Sequence, residues 1–270
     1  MSGTRAPIGV FDSGIGGLSI LRALRAALPA EDFVYFADTG HAPYGERTED
    51  HVIERSLAIA GELIARHRIK LLVVACNTAT AAAIARMRAS WPDLPIVGVE
   101  PALKPAVQAS RTGRVGVLAT RGTLASDKFK RLLASLGPGA DIRLQPCDGL
   151  AAAIERDDAS QVEALCARYV QALGALGHEP GQIDTLVLGC THYPFALATF
   201  QRLVGDGVGI LETGEPVARQ VNRLLESGAL RTDTEAPGKV TLLGSGEPHA
   251  LQAAAARWLG AWAATSSTAC

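Results

Sequence analysis

The chain has 270 residues, 48% of them hydrophobic and 20% charged, a balance that supports a folded core and excludes a disordered or solvating polymer. A formal net charge of −1, with no basic run, argues against a general binder of nucleic acid or of anionic membranes. No apolar stretch approaches the roughly 20 residues that a bilayer-spanning helix needs, and residues 1–7 lack a signal peptide's apolar region, so the chain reads as cytoplasmic.

Short apolar runs recur along the chain, each followed by glycine or small polar residues and then an amphipathic stretch. Ile8-Gly-Val-Phe11 leads through Asp12-Ser-Gly-Ile-Gly-Gly17 into a helical pattern over residues 18–28. Phe33-Val-Tyr-Phe36 leads into a loop carrying Pro43-Tyr-Gly45, with a helix predicted from about Thr48. Leu71-Leu-Val-Val-Ala75 runs into Cys76-Asn-Thr78 and an alanine-rich helix, and Ile96-Val-Gly-Val99 follows. Arg114-Val-Gly-Val-Leu118 and Thr185-Leu-Val-Leu188 repeat the theme. Continuous apolar strands alternating with helices predict parallel sheets covered on both faces. The expected fold is α/β, two similar doubly wound domains with a boundary near residue 99, and ligands beyond the carboxyl ends of the strands. The tail predicts a helix after Gly214, a strand at Lys239-Val-Thr-Leu-Leu243, a second helix and a frayed end. Periodicity does not decide which domain the tail joins.

Five cysteines, at 76, 147, 166, 190 and 270, form an odd set with no CxxC and no zinc-type spacing, so no metal site or disulfide framework is expected. For any one of them, core filling is the plainer explanation. Two of them share a plan, however. Leu71-Leu-Val-Val-Ala-Cys-Asn-Thr78 and Thr185-Leu-Val-Leu-Gly-Cys-Thr-His192 each place a strand, one small residue, a cysteine and two polar residues in succession. A core-filling thiol needs no polar neighbours repeated at both positions. Inverting a carbon centre needs a base on one face and an acid on the other, and two thiols from two similar units meet that demand. A cysteine hydrolase leaves the second thiol without a task, and dithiol exchange usually uses neighbouring cysteines.

At these residues the chain resembles the glutamate racemases, the cofactor-independent enzymes that supply D-glutamate for bacterial peptidoglycan. The resemblance covers most of residues 7–220. It includes Ile8-Gly-Val-Phe-Asp-Ser-Gly-Ile-Gly-Gly-Leu18, Pro43-Tyr-Gly45, Ala75-Cys-Asn-Thr-Ala-Thr80, Val97-Gly-Val99, Gly116-Val-Leu-Ala-Thr120 with Gly122-Thr123, and Leu188-Gly-Cys-Thr-His-Tyr-Pro194. It implies that Cys76 and Cys190 transfer protons, the first handling the D- and the second the L-enantiomer, with no cofactor. It further implies that Asp12, Ser13, Tyr44, Gly45, Asn77, Thr78, Thr191 and His192 line the glutamate site, with Asp12 assisting Cys76 and His192 assisting Cys190. The family arrangement makes residues 1–99 with 211–270 one domain and residues 100–210 the other, with the active site between them, and it allows a homodimer.

Glu155, after Gln145-Pro-Cys147, matches the family's auxiliary acid–base glutamate, although the intervening residues differ. The segment Glu212-Thr-Gly-Glu-Pro216 departs from a common serine-containing form. Cys147, Cys166 and Cys270 match no catalytic motif; Cys166 reads as a helix-face residue and Cys270 as a tail thiol. The Gly14-Ile-Gly-Gly17 turn lacks GxGxxG spacing, and no Walker A loop is present. Taken without their context, Asp12 and Ser13 read as a helix cap and His192 as a loop histidine. An aspartate or hydantoin racemase of the same superfamily and a small-ligand binding protein remain the alternatives.

Overall fold

The first strand, β1 (Ile8–Asp12), is buried along its whole length, as its unbroken apolar run requires in a sheet covered on both faces. In the structure, a computed structural model that describes residues 5–137 and 139–260, it opens the series β1, α1 (Leu18–Ala27), β2 (Phe33–Ala37), α2 (Glu49–His67), β3 (Leu71–Val74), α3 (Asn77–Ser90) and β4 (Ile96–Gly98). A second series follows: α4 (Leu103–Ala109), β5 (Arg114–Ala119), α5 (Arg121–Ala125), α6 (Asp127–Ala134), β6 (Asp141–Pro146), α7 (Leu150–Glu155), α8 (Ala159–Ala172), β7 (Thr185–Gly189), α9 (Leu197–Val204) and β8 (Gly209–Leu211). The tail adds α10 (Gly214–Ser227), β9 (Val240–Gly244) and α11 (Pro248–Leu259). Cys270 and the end expected to fray lie outside the described residues.

The chain divides into two compact units, Met1–Val99 with Gly214–Cys270, and Glu100–Thr213. Strand β8 belongs to the second sheet, so the return to the first unit falls at Gly214 and not at 211. Among the described residues all strands pair in parallel, in the order β4-β3-β1-β2-β9 in the first unit and β6-β5-β7-β8 in the second. Setting β9 aside, the two orders are the same. In each unit the first strand of the series lies between the second and the third, and the fourth lies outside the third. The chain therefore reverses direction across the sheet between β1 and β3 in one unit and between β5 and β7 in the other. Such switch points open a crevice beyond the strands' carboxyl ends, where α/β proteins bind ligands.

Local signals account for the element ends. Helix α2 starts where the Thr48 side chain accepts from the His51 backbone N–H, with Glu49 and Asp50 in its first turn, and stops at Arg68 in the left-handed region. Core side chains such as Phe11, Val74, Ile59 and Met87 fill the face of the first sheet covered by α2 and α3. In the second unit Leu118, Leu186, Leu188 and Phe200 pack on one sheet face, and Val115, Val117, Val187 and Phe129 on the other.

Asp184 braces the amino end of β7. Its carboxylate accepts from Ser110 Oγ at 2.6 Å, from the Arg111 and Thr112 backbone N–H groups at 2.6 and 3.0 Å, and from Thr185 Oγ1 at 3.0 Å. Burial works against the charged form, but these donors outweigh it and bring the carboxyl to about 2. Because the folded value lies below that of the unfolded chain, the stabilisation is complete above about pH 4 and disappears as the pH falls toward the folded value. Asp184→Asn should cost about 1.5–3 kcal/mol at neutral pH. It should also flatten the acid limb of a stability–pH profile below about pH 4, measured by urea unfolding at a series of pH values; a parallel limb would refute the assignment.

Candidate active site

Cys76 is the residue directly after Ala75 at the end of β3, and it forms the N-cap of α3. Its thiol accepts from the Ala79 backbone N–H at 3.4 Å and lies 3.6 Å from Ser13 Oγ. A 14-residue helix beginning at the thiol favours a negative charge on Sγ through its exposed N–H groups and dipole. Asp12 ends β1, the neighbouring strand across the switch point, and is fully buried. Its Oδ2 accepts from the Gly17 backbone N–H at 2.6 Å, so it orders the turn leading into α1. Asn77 and Thr78 open α3 and are both buried. Both polar atoms of the Asn77 amide are buried without a hydrogen-bond partner among the described residues. An amide left so costs about 1–3 kcal/mol unless a ligand supplies the partners.

Tyr44 and Gly45 sit in a 3-10 turn after the cis Ala42–Pro43 bond, and Tyr44 packs in the same core as Cys76. The Tyr44 hydroxyl donates to Asp38 Oδ2 at 2.5 Å. Burial and then this bond keep the phenol protonated far above its ordinary range. The phenol is thus committed to Asp38, and what the Pro43–Gly45 segment can offer a ligand is its backbone. Asp38 also accepts from Arg55 through both oxygens, at 2.7 and 3.0 Å, and from His41 at 3.0 Å. Burial penalises the Asp38 carboxylate, but hydrogen bonds from Arg55, Tyr44 and Ser245 and the Arg55 charge hold it below the usual range. Neither Asp38 nor Arg55 follows from the sequence motifs. The available signal is that Asp38 comes directly after β2, as Ser13 comes directly after β1.

In the second unit Cys190 follows Gly189 at the end of β7. Its Sγ lies 3.7 Å from His192 Nδ1, and His192 Nε2 lies 2.6 Å from Glu155 Oε1. Glu155 is 37 residues away in sequence and arrives from the last turn of α7. Burial disfavours the imidazolium, but the hydrogen bonds and charges of Cys190 and Glu155 outweigh it and raise His192 well above the ordinary histidine range. The chain Cys190–His192–Glu155 can therefore hold a thiolate beside an imidazolium, or pass the thiol proton to a neutral ring whose other nitrogen donates to Glu155. Thr191 is buried between them in sequence. Thr120 follows β5 as Ser13 follows β1, on the strand across the switch point from the cysteine, and its hydroxyl donates to Thr123 Oγ1 at 2.9 Å.

The remaining described cysteines are outside this chemistry. Cys166 is buried in α8, where burial pushes its thiol up to about 12. Cys147 follows β6; burial raises its thiol far above the ordinary value, and it donates to the Gln145 carbonyl. Strands β6 and β7 both register on Ala119 of β5, through Pro146 and Gly189. Cys147 and Cys190 therefore follow the strands on either side of β5, and both are free thiols in the same core. No group of three or more His, Cys, Asp or Glu side chains among the described residues is placed to hold a metal ion, and no described helix is long and apolar enough to cross a membrane.

Comparison with known proteins bears on these centres. Residues 8–221 match the family model described as Asp/Glu/Hydantoin racemase. This chain belongs to that family. It is 49% identical over 230 residues to a glutamate racemase of Pseudomonas syringae pv. tomato, which covers 84% of this chain and 82% of the relative. Among solved structures it resembles a glutamate racemase isoform from Bacillus anthracis, with a TM-score of 0.86 and 29% identity over 99% of this chain and 97% of the other. It also resembles the glutamate racemase of Francisella tularensis solved in complex with D-glutamate, with a TM-score of 0.83, 26% identity and 98% of each chain covered. The two parallel-sheet α/β domains are thus those of this racemase family, as the strand pattern predicts.

Proposed function

We propose that this racemase interconverts L- and D-glutamate without a cofactor, using Cys76 and Cys190 on opposite faces of the substrate's α-carbon. The observation that carries the proposal is topological. In both units the cysteine follows the third strand of the same strand order, next to a switch point, and a polar residue follows the first strand beside it. Two equivalent thiols suit a reaction whose two directions are mirror images.

Starting from L-glutamate, the Cys190 thiolate takes the α-proton: the C–H bond breaks, an S–H bond forms, and the electron pair stays on the substrate, spread into its carboxylate. The Cys76 thiol then gives its proton to the other face and is left as thiolate. D-Glutamate leaves, and the reverse direction exchanges the two roles. His192, backed by Glu155, carries protons to and from Cys190, and Asp12 does the same for Cys76 or receives the substrate ammonium. Donors from Ser13, Asn77, Thr78, Thr191 and the Tyr44–Gly45 backbone hold the carboxylates. The thiol chemistry suits a reducing cytoplasm, and the D-glutamate would enter peptidoglycan synthesis, setting cell-wall growth and cell shape.

Each enantiomer, incubated with the protein in deuterated water without additives, should lose its circular dichroism toward zero, and product should carry deuterium at Cα. L-Aspartate and a hydantoin run in parallel should turn over far more slowly. No change from either glutamate enantiomer would refute the proposal, and faster turnover of another substrate would reassign it.

A further inference from the structure

The turn from Asp12 to Gly17 is pinned in several places, and one of the pins comes from a residue that no motif singles out. Tyr35 lies in β2 opposite Val10 of β1 and is fully buried. Its neighbours Val34 and Phe36 pack into the core beneath α2 and α3, so Tyr35 projects from the other face of the sheet. There its hydroxyl donates to the Gly14 carbonyl at 2.6 Å. A phenol inside a buried strand is favourable only when its hydroxyl is paired; phenylalanine, used at 33 and 36 of the same strand, fills such space without that desolvation cost.

The surroundings are built to this contact. A Cβ at Gly17 would stand 2.6 Å from Asp12 Cβ and 2.9 Å from the Tyr35 hydroxyl oxygen, so only glycine lets the three approach. The Gly17 N–H then reaches Asp12, and Ser19 Oγ donates to the Gly16 carbonyl at 2.8 Å. Ser13 is held between two fixed neighbours, Asp12 and Gly14, and its hydroxyl lies 3.6 Å from the Cys76 thiol.

We infer that Tyr35 is a positioning residue for the Cys76 centre: its phenol pins the Gly14 carbonyl and thereby the Ser13 hydroxyl that faces the thiol. The inference rests on the proposed role of Cys76, but it concerns the thiol's surroundings, which can be measured without turnover. Tyr35→Phe is nearly isosteric. It should lower kcat/KM about tenfold, with the loss in kcat, through one misplaced hydrogen bond. In the unliganded protein, alkylation of Cys76 by iodoacetamide, followed by mass spectrometry across a pH series, should shift to higher pH because the thiolate loses a donor. Tyr169→Phe removes a comparable bond, from the Tyr169 hydroxyl to the Asp148 carbonyl at 2.5 Å, and should leave the Cys76 profile where it was.

A Tyr35→Phe protein with the wild-type alkylation profile overturns the inference, whether its turnover is normal or reduced, since reduced turnover alone would mean general loosening. If that variant is too unstable to assay, Gly17→Ala, which presses on the same phenol, must shift the profile; an unchanged profile there overturns the inference equally. Full racemisation by Cys76→Ala would instead refute the proposed mechanism, independently of either result.

Discussion

Cys76→Ala and Cys190→Ala should each lose racemisation by about 10²–10⁴-fold, the range expected when a positioned acid–base group is removed. The two variants should nevertheless differ in one respect. Under the proposed mechanism, with Cys76 gone Cys190 would still face the hydrogen of L-glutamate and could take it and return deuterium from the same side. Cys76→Ala should therefore exchange L-glutamate slowly with deuterated solvent without inverting it, and Cys190→Ala should do the same for D-glutamate. Because the enantiomers have equal free energies, kcat/KM must remain equal in the two directions in any variant. Asymmetry can thus appear only in exchange, or in kcat and KM taken separately. Mass spectrometry for deuterium and circular dichroism for inversion separate the outcomes. If either alanine variant racemises at the wild-type rate, the two-base mechanism is wrong.

The second large effect concerns stability and lies at the other end of the first sheet. Lys70 Nζ and Glu31 Oε2 form an ion pair at 2.6 Å, with both side chains 3% exposed. Glu31 also accepts from the Thr232 backbone N–H at 2.9 Å, fastening the segment between α10 and β9 to the amino ends of the strands. Lys70→Met leaves the Glu31 carboxylate buried beside a side chain that cannot pair with it, and should destabilise the protein by about 3–5 kcal/mol. Adding Glu31→Gln should recover a large part of that loss, because the uncompensated charge is removed. Urea unfolding of the two single variants and the double variant checks this. Equal stability of Lys70→Met and wild type, or a double variant weaker than both singles combined, would count against the pair's being a buried ionic contact.

Strands buried on both faces were the most legible part of the chain. Phe33–Phe36 and Leu71–Val74 carry no charged residue, Arg114–Leu118 and Thr185–Leu188 carry none after their first residue, and each forms a strand with ends within a residue or two of those expected. Strand β6 escapes this signal because it is a sheet edge: Asp141, Arg143 and Leu144 are exposed, and its sequence alternates without an apolar run. Strand β8 is only three residues long, too short to show any period. At the site, Cys76 and Cys190 could be singled out because their polar flanks repeat in sequence. The contact of Glu155 with His192 could not be read that way, since it depends on how α7 packs against the residues after β7. Asp38 and Arg55 were invisible for a related reason: a carboxylate in a polar loop looks like any other until a helix brings a guanidinium to it.

Strand β9 is the last strand of the first sheet, and it covers the outer edge of β2. During synthesis, the second unit is complete as soon as residues 100–213 have emerged, whereas the first waits for residues 240–244. Until then Phe33-Val-Tyr-Phe-Ala37, a strand without a single charge, presents an open edge to other chains. A ribosome that stalls, or a message cut short, before Val240 would release a product with that edge exposed. The final strand thus acts as a seal against self-association, and cells making truncated forms of this chain should find them in inclusion bodies.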